Sequence, residues 1–395
     1  MTESFDVVII GAGIHGAGVA QAAAAQGYRV LVLEQNEIAS GTSSRSSKLI
    51  HGGLRYLESG QIALVRECLH ERDLLLKLAP DLIQLKPFII PVYQDTSRSA
   101  LKIRLGLSLY SLLEGFGSTS GFDVLPRHQW SELDGLRCEK LRTVFRYYDA
   151  QTDDRMLTRA VLHSAQEMGA ECLTQAIMTH AHINEANTGI EVHYRQDAVD
   201  NAVHARVLVN AAGPWANDVL ARITPAQTMP AIELVQGTHI LMEGQVKQGI
   251  YYLESPSDRR AVFVIPWQNR IMVGTTETRY LGDPGKVEPL YAERQYLLDI
   301  LQHYFPQYSS LTPNAVDAFA GVRVLPAGEQ NHFQRKRETC FVVDNELQPT
   351  LLSIYGGKLT AYRTTAIAVM KRLQATLPPR RHIADTAKLP LMPMD

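Results

Sequence analysis

The segment Gly11-Ala12-Gly13-Ile14-His15-Gly16 limits what this chain can fold into more than any other. Phe5 to Ile10, just ahead of it, is a near-continuous apolar run, as a strand buried on both faces requires. Ala17 to Gln26 behind it is rich in alanine, which lets a helix pack closely on a sheet, and Gly27 stops that helix. Arg29 to Leu33 then reads as a second strand, closed by Glu34. Glycines at GxGxxG spacing allow a tight turn and close backbone approach. The helix N-terminus holds a pyrophosphate, and the acid bonds a ribose hydroxyl. The motif alone is weak. With strand, glycines, small-residue helix, second strand and terminal acid in order, it reads as a dinucleotide-binding unit. Glu34 argues against a phosphorylated ribose and suits FAD or NAD.

Thr42 to Leu57 (TSSRSSKLIHGGLRYL) follows soon after. It holds five serines and threonines, a glycine pair, His51 and three cations, with no acid. A core segment would not carry so many polar groups. A loop laid along a diphosphate, with its cationic end towards an anionic substrate, would.

Composition removes several function classes. Lys plus Arg total 39 against 41 Asp plus Glu, for a net charge of -2. A nucleic-acid binder shows a basic excess, so none is expected as a partner. Cys68, Cys138, Cys172 and Cys340 lie far apart with no CxxC, and read as reduced cysteines of a cytoplasmic protein. His180 and His182 alternate on a strand with no third ligand in sight, so no metal is expected. The apolar run near the N-terminus carries Glu3 and Asp6 where a signal peptide needs basic residues. No segment reaches the ~18 uninterrupted apolar residues of a membrane span.

The remaining pattern suggests two interleaved domains. Gln61 to Leu78 and Asp153 to Gly169 read as helices, Glu171 to His182 and Gly189 to Tyr194 as strands. Pro87 to Tyr148 is less regular. Within it Leu101 to Leu113 reads as a helix, packed on its own domain or lying on a membrane surface with Lys102 and Arg104. Arg206 to Ala212, Glu233 to Met242, Ala261 to Pro266, Ile271 to Thr276 and Leu351 to Tyr355 read as strands. Gly356 to Thr360 opens a last helix as a second anion or carbonyl cradle. The expected fold is α/β: a discontinuous Rossmann-like FAD-binding domain (1–90, 145–225, 320–376) with an inserted mixed-sheet substrate domain (91–144, 226–319), of glutathione-reductase/D-amino-acid-oxidase type. Residues 377–395 form a tail.

GAGIHGAG, TSSRSSKLIHGGLRYLE, VNAAGPW, FVIPW, VGTTET, GVRVLP and SIYGGKLTAYR, in this order, resemble the FAD-dependent glycerol-3-phosphate dehydrogenases, which are D-amino-acid-oxidase-like flavoproteins. The resemblance implies FAD held by Gly11, Gly13, Ile14, His15, Gly16 and Glu34. It implies that Thr42, Ser43, Ser44, Ser47, Lys48 and Leu49 lie along the diphosphate and flavin. Gly213 and Trp215 would sit near the cofactor, and Gly357, Lys358, Leu359 and Thr360 near the flavin ring. Too few residues follow Lys358 for the helical domain of longer members, so a short form is expected. Glu277 stands where Asp is commoner, and Val324 separates Arg323 from Leu325-Pro326.

The implied reaction oxidises sn-glycerol 3-phosphate to dihydroxyacetone phosphate, with hydride to flavin N5 and electrons on to quinone or oxygen. A phosphate dianion suits planar arginine forks. Arg55, Arg323 and Arg337 match family positions for substrate-binding arginines, with Tyr56, Thr275 and Thr276 adding hydroxyls. His51 is the simplest base. Lys358 is its rival, or stabilises reduced, anionic flavin. The alternative is a same-fold flavin enzyme acting on another 2-hydroxy acid or amine. A purely assembly role is disfavoured by the intact His51, Arg55 and Arg323 set. Quinone as acceptor would require peripheral contact with the inner face of the cytoplasmic membrane.

Overall fold

The fingerprint strand, Glu3–Ile10, pairs in parallel with Val30–Leu33 on one side and Val199–Asn210 on the other in the computed structural model, which describes residues 3–115, 121–186, 188–327 and 339–393. Glu171–Leu173 and Leu351–Tyr355 extend this parallel core at its two sides. The antiparallel hairpin Ala176–Ile183 and Ile190–Gln196, with Cys340–Val343 and Ile223–Thr224, completes nine strands. All six residues from Phe5 to Ile10 are buried, which is why five of them are apolar without alternation; the sixth, Asp6, is paired with Arg380.

Helix Ile14–Ala25 lies on this sheet with Asp154–Glu167 and Tyr362–Leu373 beside it. Its small residues permit the close approach. A side chain at Gly18 would press on the Tyr362 ring at 2.8 Å. Ala17, Ala20 and Ala24 share one core with Leu157, Val161, Val369 and Leu373. Each fully buried leucine or valine there contributes roughly 1.5–3 kcal/mol. Leu377 and Leu391 enter the same core, and the C-terminal segment is tied down by Ile383 N–H to Ala25 O and Leu391 N–H to Leu78 O, both 2.7 Å.

The second sheet has ten strands. Ile232–Glu243 pairs with Asp317–Pro326 over ten residues, and Ile83–Tyr93 pairs antiparallel with Leu141–Thr152. Ile250–Glu254, Ala261–Trp267 and Arg270–Gly274 lie between these two pairs. Helix Tyr291–Tyr304 packs against this sheet through Leu297, Leu298 and Leu301.

The expected helices are present as Ile62–Leu78, Ala100–Glu114 and Asp154–Glu167. Three differences stand out. The strand Arg270–Gly274 ends before Thr275 and Thr276. The last helix begins at Tyr362, leaving Gly356 to Thr360 in the loop ahead of it. Finally, residues 83–90, 145–152 and 320–326, grouped above with the FAD-binding domain, hydrogen-bond into the second sheet, because each continues a strand that pairs there without a break.

Candidate active site

A cleft opens where the parallel strands end. Gly11, Gly13, Ile14 and His15 follow the first strand, and Glu34 to Asn36 the second. Ala211 to Trp215 follow Val199–Asn210, and Gly356 to Thr360 follow Leu351–Tyr355; all line the cleft. The carboxyl ends of parallel strands are the usual ligand crevice of such sheets. Backbone crowding explains the glycines. A Cβ on Gly16 would fall inside contact distance of the Gly11 carbonyl oxygen, and one on Gly11 (φ +101°) would sit 2.8 Å from Ala211 O. The Glu34 carboxylate stands at the end of its strand and accepts Ala12 N–H and Asn36 N–H, both at 2.8 Å.

The serine-rich loop forms the next wall, and its hydroxyls hold the loop in place. Thr42 donates to Val322 O at 2.6 Å, and Ser44 to Gly41 O at 3.2 Å. Ser43 Oγ accepts Ile14 N–H at 2.9 Å, satisfying one of the open donors at the helix start. Ser47 Oγ meets His239 Nε2 at 2.9 Å. Thr42, Ser43, Ser47 and Leu49 line the cleft; Ser44 and Lys48 are not among its lining residues. Lys48 is buried, with Nζ on Asp154 at 2.5 Å and on Ser44 O at 2.6 Å. Burial pushes the Asp154 carboxyl up against the pull of Lys48. Lys48 is thus a strut from the loop to the start of helix Asp154–Glu167.

The wall opposite the glycines comes from both sheets. His51, Tyr56, Thr275, Arg323 and Lys358 all line the cleft. His51 N–H reaches Thr360 Oγ1 at 3.1 Å, and the next N–H, of Gly52, reaches Tyr110 Oη at 2.8 Å. Tyr110 donates onward to Asp149, which also accepts from the fully buried Arg72. Lys358 Nζ lies 3.9 Å above the Tyr56 ring. Arg323 donates to Thr276 O at 3.1 Å and to Glu277 at 3.3 Å. Arg55 is not in the lining; it stands near Tyr252, whose hydroxyl is raised mainly by burial. Thr276 turns away, donating to the buried Glu293 at 2.7 Å. Glu293 also accepts from Gln236, Thr238 and Thr278, which fixes the Thr275-Thr276 corner. Arg337 lies outside the described residues.

Sequence reasoning missed four residues in or behind this wall. His239 lines the cleft, stacks on Phe319 at 5.0 Å, and has its pKa lowered to about 3 by burial, Arg323 and Lys48. Gly237, on the same strand, lies under Arg323: a Cβ there would stand 2.6 Å from Arg323 Nη2 and 2.7 Å from Thr275 Oγ1. Arg260 reaches Glu277 at 3.4 Å. Asp154 holds Lys48. The polar letters Gln236, Gly237, Thr238 and His239 inside an otherwise apolar strand were the available signal. Among the described residues no three His, Cys, Asp or Glu side chains gather as a metal site. His180 stacks on His193 at 4.0 Å.

The nucleotide wall fits FAD on its own geometry. Side chains at Gly11 and Gly16 are excluded by backbone, a helix N-terminus faces the cleft, and a Cβ at Gly357 would run into His15. The His15 and His239 Nδ1 atoms are buried without a partner among the described residues, so the cleft holds polar groups that a ligand would satisfy.

Residues 6–363 match the family described as FAD dependent oxidoreductase (DAO). The chain is 37% identical over 398 residues to a glycerol-3-phosphate dehydrogenase of Pseudomonas aeruginosa, covering 99% of this chain and 75% of that one. It is 34% identical to a D-erythritol 1-phosphate dehydrogenase of Brucella abortus, covering 95% and 75%. The solved glycerol-3-phosphate dehydrogenase of Bacillus halodurans, complexed with FAD, superposes with a TM-score of 0.75 at 26% identity, covering 98% of this chain and 68% of that one. A glycine oxidase of Geobacillus kaustophilus shares the fold at 20% identity and a TM-score of 0.70. The cleft at the strand ends, its glycine cradle and these likenesses agree, and the chain belongs to the FAD-dependent oxidoreductases of the DAO family, among the glycerol-3-phosphate dehydrogenases.

Proposed function

We propose that this chain oxidises the secondary hydroxyl of sn-glycerol 3-phosphate to give dihydroxyacetone phosphate. When bound, FAD supplies the hydride-accepting ring. The observation that carries the reading is the meeting of Arg323, Tyr56, Lys358 and His51 with the glycine cradle in one cleft. Gly11, Gly13, Ile14, His15, Gly16 and Glu34 hold the cofactor, with Thr42, Ser43, Ser47 and Leu49 alongside. Gly213, Trp215 and Gly357 to Thr360 close the same space. Arg323 binds the phosphate, with Tyr56 and Thr275 donating hydroxyls. Arg55 acts through its charge from beside Tyr252.

His51 accepts the hydroxyl proton. Its backbone is held on both sides, by Thr360 and by Tyr110, which keeps the ring in place. The depressed pKa of His239 makes it a poor proton acceptor, and its Nε2 is engaged with Ser47. Lys358 sits where a cation offsets negative charge developing in the cleft.

Quinone or oxygen takes the electrons. For quinone, the docking surface is helix Ala100–Glu114, whose Leu101, Leu105 and Leu112 are exposed beside Lys102 and Arg104. No described helix is long and apolar enough to cross a membrane. The C-terminal cations add less than their number suggests: Arg380 is paired with Asp6, and Arg372 lies over Phe341.

The test is a substrate panel on the holoprotein with a dye acceptor. Glycerol 3-phosphate is expected to reduce the dye, and inorganic phosphate to compete. Erythritol 1-phosphate belongs in the panel because a relative carries that name. Turnover of a 2-hydroxy acid or amine, with none of a polyol phosphate, would sink the reading. Vesicle sedimentation at low and high salt, beside a peroxide assay, separates the acceptors. Stoichiometric peroxide without vesicle binding leaves oxygen.

A further inference from the structure

Arg323 does not stand alone behind the cleft. Its guanidinium meets Glu277 at 3.3 Å, and the other oxygen of that carboxylate meets Arg260 at 3.4 Å. The Glu277 side chain is only 4% exposed and Arg260 11%, whereas Arg323 is 27% exposed and lines the cleft. Only Arg323 of the three faces the ligand space. Arg260 comes from the turn before Ala261–Trp267, Glu277 from the corner after Arg270–Gly274, and Arg323 from Asp317–Pro326. Three separate segments therefore place one carboxylate between two guanidinium groups.

Charge bookkeeping gives this arrangement a function. The two arginines and one glutamate carry one net positive charge. A carboxylate facing Arg323 alone would neutralise it and leave an incoming anion little to bind. Arg260 draws on the same carboxylate from behind and returns part of that charge to the cleft. Thr276 O also holds Arg323, at 3.1 Å, so the guanidinium keeps an anchor that does not depend on Glu277.

We propose that Arg260 and Glu277 are positioning residues that set the charge of the anion subsite, so that Arg323 binds a phosphate firmly enough to hold it and loosely enough to release it. This rests on the reading of Arg323 as the phosphate-binding residue. Arg260→Gln lowers the net charge of the trio to zero, Glu277→Gln raises it to two, and the double variant returns it to one.

The experiment is calorimetric titration of the holoproteins with inorganic phosphate, alongside KM and kcat for sn-glycerol 3-phosphate. Phosphate affinity should fall about fivefold in Arg260→Gln, the size of one partly buried charge interaction of about 1 kcal/mol. It should rise in Glu277→Gln, where slower product release lowers kcat. It should return close to the parent value in the double variant. Arg260→Met, which keeps the volume of the stem, repeats the first result should the glutamine variant be unstable. An unchanged affinity in Arg260→Gln, or a double variant weaker than either single one, overturns the proposal, because a scaffold role predicts additive losses. Arg323→Ala is the control: if phosphate binding survives it, the phosphate-binding reading itself is wrong. If it abolishes binding while Arg260→Gln changes nothing, only the charge-setting role is wrong.

Discussion

The two walls of the cleft are built differently. On the nucleotide wall backbone meets backbone: a side chain at Gly16 or Gly11 would meet carbonyl oxygens that cannot move without moving strands. On the opposite wall the nearest obstacles are side chains: a methyl at Gly237 would first meet the tips of Arg323 and Thr275, which can swing, with the Thr276 carbonyl oxygen further off at 3.3 Å. A small change in the first wall should therefore appear as a folding or cofactor defect, and in the second as a kinetic one.

The largest effect is expected for Gly16→Ala, at more than about 3 kcal/mol, since overpacking against backbone has no cheap relief. The protein should lose its yellow colour and much of its thermal stability. Gly13→Ala should be milder, because only the Ser43 hydroxyl, at 3.1 Å, lies in the way. A yellow Gly16→Ala protein with an unchanged melting temperature would contradict the rigid-wall account.

Arg323→Ala comes next. Losing a charged partner for a phosphate should cost on the order of 2–5 kcal/mol in kcat/KM. FAD content, read from the visible spectrum, should stay at parent level. Loss of FAD in this variant would show that the two walls are not separable.

Gly237→Ala should raise KM roughly tenfold, equivalent to about 1.4 kcal/mol, by displacing Arg323 and Thr275. Thermal unfolding should move by no more than about 1 kcal/mol, within the range of tolerated core changes. A melting temperature as low as that of Gly16→Ala would erase the distinction.

The smallest effect concerns pH. Burial holds His239 at about 3 and His15 at about 4, below the ordinary 6.5. Both are neutral when folded, so below pH 6.5 the unfolded chain binds more protons. Stability is therefore fully present above 6.5 and falls as pH drops towards 4 and then 3. At pH 5.5 each histidine should cost about 1 kcal/mol. Urea midpoints of the FAD-free protein should fall from pH 7 to 5.5, and less steeply in His239→Gln. An identical slope in that variant would remove His239 from the account.

The same contrast explains what could be read from sequence. The nucleotide wall is local: strand, turn, helix and acid fall between Phe5 and Glu34, and the glycine spacing announces the close approach. The opposite wall joins residues near 51, 237, 275, 323 and 358. No periodicity links them: the residue pattern marked the segments that hold His51 and Lys358, motif resemblance singled out Thr275 and Arg323, and nothing singled out Gly237, His239 or Arg260. Motif position does not report where a side chain points: Ser44, Lys48, Arg55 and Thr276 stand outside the cleft lining, and the polar atoms of Lys48 and Thr276 face Asp154 and Glu293.

The strand Ile83–Tyr93 was hidden for another reason. Pro87 and Pro91 argue against a strand, because proline cannot donate to a ladder. Here one edge pairs with Leu141–Thr152, while the other meets Ile250–Glu254 only at Phe88 and Ile89. The prolines therefore fall where few donors are needed.

The parallel pairing of the first sheet also sets a timetable for synthesis. Val7 pairs with Val207, and Val209 in turn with Leu352. At ribosomal speeds of about 5–20 residues per second, the first strand waits roughly 10–40 seconds for its partner to emerge. Until then one edge of a strand whose inner part, Val7 to Ile10, is apolar stands open, covered at most by Val30–Leu33 on its other side. The His51 loop waits longer still, since the threonine that holds its backbone is residue 360. The nascent chain is open to pairing with its neighbours throughout, and the end of the cleft that holds His51 is among the last parts of the molecule that can become ordered.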